Sequence, residues 1–373
     1  VKRVLILYAV QNSGHHAAAR CLERAFRAHG PDIAPLCIDL LQHTHPRWNR
    51  IVERMYMTTI RRTPELWDAL YDNFWVEFLT RRVRQIIQKG GSASLQRLMA
   101  DFDPDAVVCT QAYPLAVITN FVSRRERIIP LFGVTTDYVP HRFWINHAPN
   151  VHYVVPIESA AARLMWLGIG RERVRVFGIP VTGDGAPAPD PPARPSEKRR
   201  VLAMGGSRGM GVLFRTVRNL DRSPAPFTID VVCGTNNRLR RRLLRNRRRF
   251  SHPIRIRGYV RDAARLMPRA DLMLTKAGGL TLAEAACAGL PLLLLRPLPG
   301  QERQNTAVMV HHGAALQVES EHDVARSVTA LLGNGDLLRM MRAKARALAR
   351  PDAAARIVRH VLECIHDRPG TAT

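Results

Sequence analysis

The chain has 373 residues, 46% of them hydrophobic, which is too long for one ordinary domain and apolar enough for two cores. Fifty-six Lys and Arg against 31 Asp and Glu leave a formal charge of +25, which calls for a polyanionic neighbour such as nucleic acid or acidic lipid, although an Arg-rich background composition explains much of it. No apolar run approaches the roughly 18 residues of a transmembrane helix, and Cys21, Cys37, Cys109, Cys233, Cys287 and Cys364 lack C-x-x-C or zinc spacing, so they read as reduced core residues of a cytosolic protein.

The start, VKRVLILYAV, resembles a signal peptide in charge and apolarity but leads into Gln11-Asn12-Ser13-Gly14-His15 without a small-residue cleavage site. It reads as a first β-strand over 4–8. The stretch 51–98 is helical in pattern, and its Tyr56, Trp67, Tyr71, Phe74, Trp75 and Phe78 among Arg61, Arg62, Arg81, Arg82 and Arg84 suit either core packing or a lipid interface. Short apolar strands follow at 106–109, 128–134 and 151–155, then at 201–204, 229–233, 272–274 and 292–295, alternating with amphipathic helices. That alternation predicts an α/β protein with parallel sheets covered on both faces. Residues 180–195 read PVTGDGAPAPDPPARP, which packs as neither helix nor central strand and predicts a linker over 181–196. Two α/β domains are expected, at 1–180 and 197–350, with a helix over 351–367 packing back on the first.

Three Gly-containing turns each follow a predicted strand: residues 11–15, Gly205-Gly206-Ser207-Arg208-Gly209, and Ala277-Gly278-Gly279. At the carboxyl end of a parallel strand such turns aim backbone N–H groups and a helix N-terminus at a phosphate, although a single Gly turn carries little weight. None has the lysine and Ser/Thr of a P-loop ATPase. The third turn continues as Thr281-Leu282-Ala283-Glu284-Ala285, placing a carboxylate one turn into an Ala-rich helix. There it is either a ligand for the hydroxyls of a ribose or a surface residue on a good helix former.

GGSRGMG (205–211), CGTNNRL (233–239), GYV (258–260), ADLMLTKAGGLTLAEAACAGLP (270–291) and PGQERQN (299–305) resemble the donor half of the monogalactosyldiacylglycerol synthase and processive diacylglycerol glucosyltransferase family. SGHHAAA (13–19), the Tyr56/Pro64/Trp67/Tyr71 spacing, DPDAVVCTQAYP (103–114), VTTDYVPHRFW (134–144) and GIPV (178–181) follow the same family's order. The pattern departs at Asn12, where the family usually has Gly, and at Thr182-Gly183-Asp184-Gly185 after GIPV. Asn tolerates positive φ better than other non-Gly residues, so the first turn survives.

The resemblance implies a GT-B fold, two Rossmann-like domains facing across a cleft. It also implies inverting transfer of a hexose from a UDP-sugar to a diacylglycerol-type lipid on the cytoplasmic membrane face, with no metal or other cofactor. Gly206 and Ser207, with Gly279, Leu280 and Thr281 at the helix start, would hold the diphosphate. Val260 would read uracil by its main chain, Glu284 would clamp ribose, and Gln301 and Glu302 would hold the hexose with Asn236 close by. His15, after Gly14, stands at the position of the family's base, although from the residues alone His16 serves as well. Asp137 and His141 would orient the acceptor or support the base, and Pro114 and Trp144 would line an acyl groove. A transferase adding GlcNAc to a lipid-linked peptidoglycan intermediate is the alternative, and a nucleic-acid-binding protein a distant one. For the latter, the run Arg240-Arg241-Arg242, Arg245, Arg247-Arg248-Arg249 reads as a solvated helix face, with no nucleic-acid-binding motif beside it.

Overall fold

The computed structural model describes residues 1–44, 92–123, 128–182, 199–207, 209 and 213–366. The chain divides into two compact units, Val1–Val181 with Asp352–Thr373, and Thr182–Pro351. The aromatic and basic stretch expected to be helical over 51–98 is described only from Ser92 onward, and most of the expected linker lies outside the described residues.

The first unit holds strands β1 (Lys2–Tyr8), β2 (Ile33–Asp39), β3 (Ala106–Cys109), β4 (Leu131–Val134), β5 (Val151–Val155) and β6 (Val174–Val176). They form one parallel sheet in the order β2-β1-β3-β4-β5-β6. Between them run α1 (Gly14–His29), α2 (Leu40–Thr44), α3 (Ser92–Phe102), α4 (Ala112–Val122) and α5 (Glu158–Trp166). The second unit has β7 (Arg200–Met204), β8 (Thr228–Val232), β9 (Ile254–Arg257), β10 (Leu272–Thr275), β11 (Leu292–Leu294) and β12 (Ala315–Gln317), all parallel, in the order β12-β11-β10-β7-β8-β9. Its helices are α6 (Leu213–Leu220), α7 (Asn237–Arg245), α8 (Gly279–Cys287), α9 (Gln301–His311), α10 (Val324–Gly333) and α11 (Gly335–Ala347). Counted from β7, this is the 3-2-1-4-5-6 order of a dinucleotide-binding sheet. The last helix, α12 (Ala353–His366), belongs to the first unit.

Helix α1 forms because Ser13 Oγ caps it by accepting the His16 N–H at 3.2 Å, and because Ala18, Ala19, Leu22 and Phe26 make one apolar stripe. That stripe, with Ile357, Val358, Val361 and Ile365 of α12, covers Val4, Ile6, Val108, Phe132, Val134 and Val154 on one sheet face. Each large apolar side chain so buried contributes about 1.5–3 kcal/mol. In the second unit Leu213 and Val217 of α6, Leu239 and Leu243 of α7, and Val324 and Val328 of α10 cover Val201, Ala203, Ile229 and Val231. Because Leu239 and Leu243 point inward, Arg238, Arg240, Arg241 and Arg245 lie on the exposed face of α7.

Two differences from the expected elements have physical causes. The strand expected over 128–134 begins only at Leu131, since Pro130 has no N–H for the ladder and offers its carbonyl to the Val107 N–H at 3.1 Å. The strands β2, β6, β9 and β12, which no apolar run announces, are the four sheet edges.

The loops after β7 and β8 are pressed together. Thr235 N–H donates to the Ser207 carbonyl at 2.9 Å, and Asn236 Nδ2 donates to the Gly209 carbonyl at 3.0 Å. Gly234 has φ +57°, and a Cβ there would stand 2.2 Å from the Ser207 oxygen. Gly234→Ala should therefore lower the stability of the unliganded protein by about 2–4 kcal/mol, through backbone strain and displacement of the neighbouring turn. Gly278→Ala is the control, because its φ is −76° and a Cβ there meets nothing within 4 Å. Thermal or denaturant melts should show a clear loss for the first and almost none for the second; equal melts would mean that the loops are not packed in this way.

Candidate functional site

In a parallel sheet every crossover leaves from the carboxyl end of a strand, so the second unit gathers five loops along one sheet edge. They are Gly205-Gly206-Ser207 after β7, Gly234-Thr235-Asn236 after β8, Gly258-Tyr259-Val260 after β9, Lys276-Ala277-Gly278 after β10, and residues 295–300 after β11. The strand order reverses between β7 and β10, the place where open α/β sheets bind their ligands. Gly206 sits at that point with φ +72°, and Ser207 beside it is exposed. Helix α8 starts at Gly279 with no side chain capping it, so the N–H groups of Gly279, Leu280 and Thr281 form the positive end of a helix dipole.

Three of these loops converge on Lys276. A Cβ on Gly206 would stand 3.4 Å from Lys276 Cε, and Lys276 Nζ donates to Glu302 Oε1. Glu302 Oε2 accepts the Leu298 N–H at 3.3 Å, and the buried Asn305 ties α9 to this turn through Nδ2 and the Ala277 carbonyl at 3.1 Å. Glu302 thus holds a lysine and a loop as well as standing beside Gln301 at the start of α9. Asn236, expected near a donor sugar, is committed at both ends of its amide: Oδ1 caps α7 through the Leu239 N–H at 2.9 Å, and Nδ2 braces the Gly209 carbonyl. It thereby fixes the shape of the loop.

Glu284 is not the surface residue that its type suggests. It is largely shielded from solvent, and burial, reinforced by the charge of Asp262, pushes its carboxyl up to about 7. Asp262 lies two residues beyond Val260, so the loop after β9 and the first turns of α8 share one electrostatic environment. A carboxylate held at such a cost in a good helix is a candidate for binding hydroxyl donors.

In the first unit the corresponding reversal lies between β1 and β3, and the turn after β1 ends there. Asn12 has φ 55°, the left-handed conformation that its side chain tolerates, and the chain then enters α1 at Gly14. His15 Nδ1 lies 3.0 Å from the Thr110 carbonyl after β3 and 2.6 Å from Thr136 Oγ1 after β4. A carbonyl only accepts, so Nδ1 carries the proton and Nε2 keeps the lone pair. Burial lowers the pKa of His15, outweighing the opposite effects of the Asp137 carboxylate and the Thr110 carbonyl, and keeps the ring neutral near pH 7. His16 is turned the other way. Its ring stacks on Tyr8 with centroids 4.5 Å apart, and its Nδ1 accepts the Asn12 N–H at 3.2 Å, so its lone pair is occupied by the turn.

On the acceptor side, Pro114 is buried in the first turn of α4, and Trp144 is buried with its carbonyl accepting the Tyr153 hydroxyl at 2.8 Å. Asp137 is buried and acts on His15 through its charge, whereas His141 lies against Phe143 and Trp144, with centroids 5.5 and 6.2 Å away. Lys276, Thr110 and Thr136 escaped the sequence reading. A lysine directly before the Ala277-Gly278-Gly279 turn was the available signal for the first; the two threonines had none, because their partner is 95 and 121 residues away.

Residues 15–181 match the monogalactosyldiacylglycerol (MGDG) synthase family, and residues 200–357 match the glycosyltransferase family 28 C-terminal domain. A processive diacylglycerol beta-glucosyltransferase of Bacillus cytotoxicus is 28% identical over 371 residues, covering 98% of this chain and 94% of the relative. Among solved structures, MurG of Acinetobacter baumannii superposes with a TM-score of 0.63 at 17% identity, covering 97% of this chain and 100% of that one. S. aureus MnaA, solved with UDP, gives 0.60 at 16% identity, with 99% of each chain covered. The two family matches follow one another along most of the sequence and fall on two parallel six-stranded sheets, and the chain joins an MGDG synthase domain to a glycosyltransferase family 28 C-terminal domain, as a glycosyltransferase of the GT-B fold.

Proposed function

We propose that this glycosyltransferase moves a hexose from a UDP-sugar to a diacylglycerol-type lipid, with inversion at the anomeric carbon, and that His15 is the base. The observation that carries the reading is the Nδ1–H to Thr110 bond, which leaves a neutral imidazole with Nε2 as its basic atom. In this reading Nε2 takes the proton of the acceptor hydroxyl as that oxygen bonds to the anomeric carbon, and the bond from that carbon to the UDP oxygen breaks. One displacement inverts the centre. The charge left on the diphosphate falls to the N–H groups at Gly206, Ser207 and the start of α8, with Lys276 beside them, so the transfer chemistry asks for no metal. Glu284 takes the ribose hydroxyls, Val260 meets the base through its main chain, and Gln301 with Glu302 faces the hexose. The lipid acceptor is supported by the names of the relatives, and UDP by the ligand of MnaA.

His15→Ala should lower kcat by about 10² to 10⁴ while leaving UDP affinity nearly unchanged, since every donor contact lies in the second unit. His16→Ala should lose about 1–2 kcal/mol of stability through the turn and keep its turnover per folded molecule. Lipid glycosylation rates, UDP titrations and melts on both variants decide it; a stable His15→Ala enzyme with wild-type turnover refutes the mechanism.

Glu284 gives a pH dependence with a definite sign. Its carboxyl titrates near 7, and the ionised form is the better acceptor for two hydroxyls, so UDP affinity should rise from pH 6 to pH 8 and level off above. Because the folded pKa lies above the ordinary 4.5, ionisation weakens the unliganded fold as pH rises from 4.5 to about 7. Glu284→Gln should then be more stable than the wild type at pH 8, by at most about 3 kcal/mol. The same variant should bind UDP about 10- to 100-fold more weakly, a loss of about 1.5–3 kcal/mol, without the pH slope. An unchanged affinity would make Glu284 a helix former only.

No described helix is long and apolar enough to cross a membrane. We expect the chain to meet its lipid peripherally, at the anionic inner face of the cell membrane, where its charge of +25 contributes about 1 kcal/mol per basic residue near the surface and is screened by salt. Flotation with anionic vesicles should exceed that with zwitterionic ones at low salt and fall as salt is added. Equal flotation with both would remove the electrostatic part of this reading.

A further inference from the structure

On the sheet face that α12 covers, three side chains interrupt an otherwise Val, Ile and Phe surface. They are His152 of β5 and His360 and Cys364, one turn apart on α12. Their ligating atoms all lie within 4.8 Å of one another. The thiol of Cys364 is 4.0 Å from both ring nitrogens of His360, and the two imidazoles stand edge to face with centroids 5.9 Å apart. His152 Nδ1 is buried with no hydrogen-bond partner among the described residues. Leaving such a nitrogen unsatisfied costs about 1–3 kcal/mol, which a Val or Leu at this position would avoid.

We propose that His152, His360 and Cys364 form a binding site for a borderline-soft divalent transition metal, zinc in the first instance, that fastens the C-terminal helix to the first unit's sheet. Two imidazoles and a thiol are a zinc ligand set, and the i, i+4 spacing of His360 and Cys364 puts both on one face of α12 toward the strand that supplies the third. Burial lowers the pKa of both imidazoles, and the charges of Arg175 and Arg173 add to the effect at His152. Arg175 opposes a second cation here; the thiolate formed on binding and Glu363, 3.8 Å from His360 Nδ1, offset it. Phe132 and Phe177 pack against the imidazoles and keep the surroundings apolar. A tetrahedral zinc with ordinary bond lengths needs its ligand atoms about 3.3–3.8 Å apart, so side-chain rotations of about 1 Å close the set. The metal would be structural: it takes no part in sugar transfer.

The test uses the full chain, stripped with a chelator and dialysed, and titrated with Zn²⁺ by calorimetry and with Co²⁺ by absorption. One equivalent should bind, Co²⁺ should show a thiolate charge-transfer band, and Zn²⁺ should raise the melting temperature. Cys364→Ser, close to isosteric, should abolish the band, weaken Zn²⁺ binding at least about tenfold and remove the thermal shift, and His152→Ala should do the same wherever it folds. Absence of stoichiometric binding by the wild type overturns the proposal. So does a charge-transfer band that persists in Cys364→Ser, which would place the metal on another thiol.

Discussion

A parallel strand reaches its next neighbour only through a crossover that begins at its carboxyl end, so a sheet of six such strands collects its loops and the N-termini of its helices along one edge. Every group proposed to act in the sugar transfer depends on that constraint. In the second unit it brings Gly206, Lys276, Val260, Glu284 and Glu302 to one sheet edge, although they span nearly a hundred residues. In the first it sets the turn after β1 against the carbonyl of Thr110 after β3, so that a residue at the start of α1 meets partners from two other crossovers. Closeness of this kind comes from topology, and each loop then needs only one or two suitable residues.

The groups collected there are held in forms that the fold alone would not choose. Glu284 is pushed up to about 7 by burial, Lys276 is placed beside a glycine turn with the Glu302 carboxylate to balance it, and His15 is kept neutral by desolvation against the pull of Asp137. Each is a small loss to folding and a gain once a ligand with hydroxyls and negative oxygens arrives. Both polar clusters sit over well-packed sheets whose inner faces are apolar, and that packing supplies the stability which the sites draw on.

Eight of the twelve strands among the described residues are legible in the sequence, and the four that are not are the edge strands β2, β6, β9 and β12. A central strand is buried on both faces and between two neighbours, so it reads as an unbroken apolar run. An edge strand is half exposed and tolerates Pro35 in β2 or the alternating arginines of β9, which hide it from a search for such runs. The donor loops were legible because Gly and Pro leave strong local marks. Partners supplied from afar were not: Thr110 and Thr136 become neighbours of His15 only when the sheet forms. Nor does residue type say that Asn236 also braces its own loops or that Pro114 and Trp144 are buried, since it does not tell which side of a packed surface a ring will take.

His15 and His16 show how far local sequence can carry a chemical assignment. Both are histidines in the first turn of one helix, both have lowered pKa values through burial, and a turn of about 100° between successive residues is all that separates their environments. His15 points to a carbonyl, which can only accept, and so its Nδ1 must hold the proton. His16 receives a backbone N–H, so its Nδ1 must be bare and its proton sits on Nε2. The two rings are therefore opposite tautomers. One has its lone pair on the nitrogen opposite its bond to the Thr110 carbonyl, while the other spends it on holding the turn together. A base is defined by where its lone pair is available, and here that is decided by the neighbours of each ring, not by its identity.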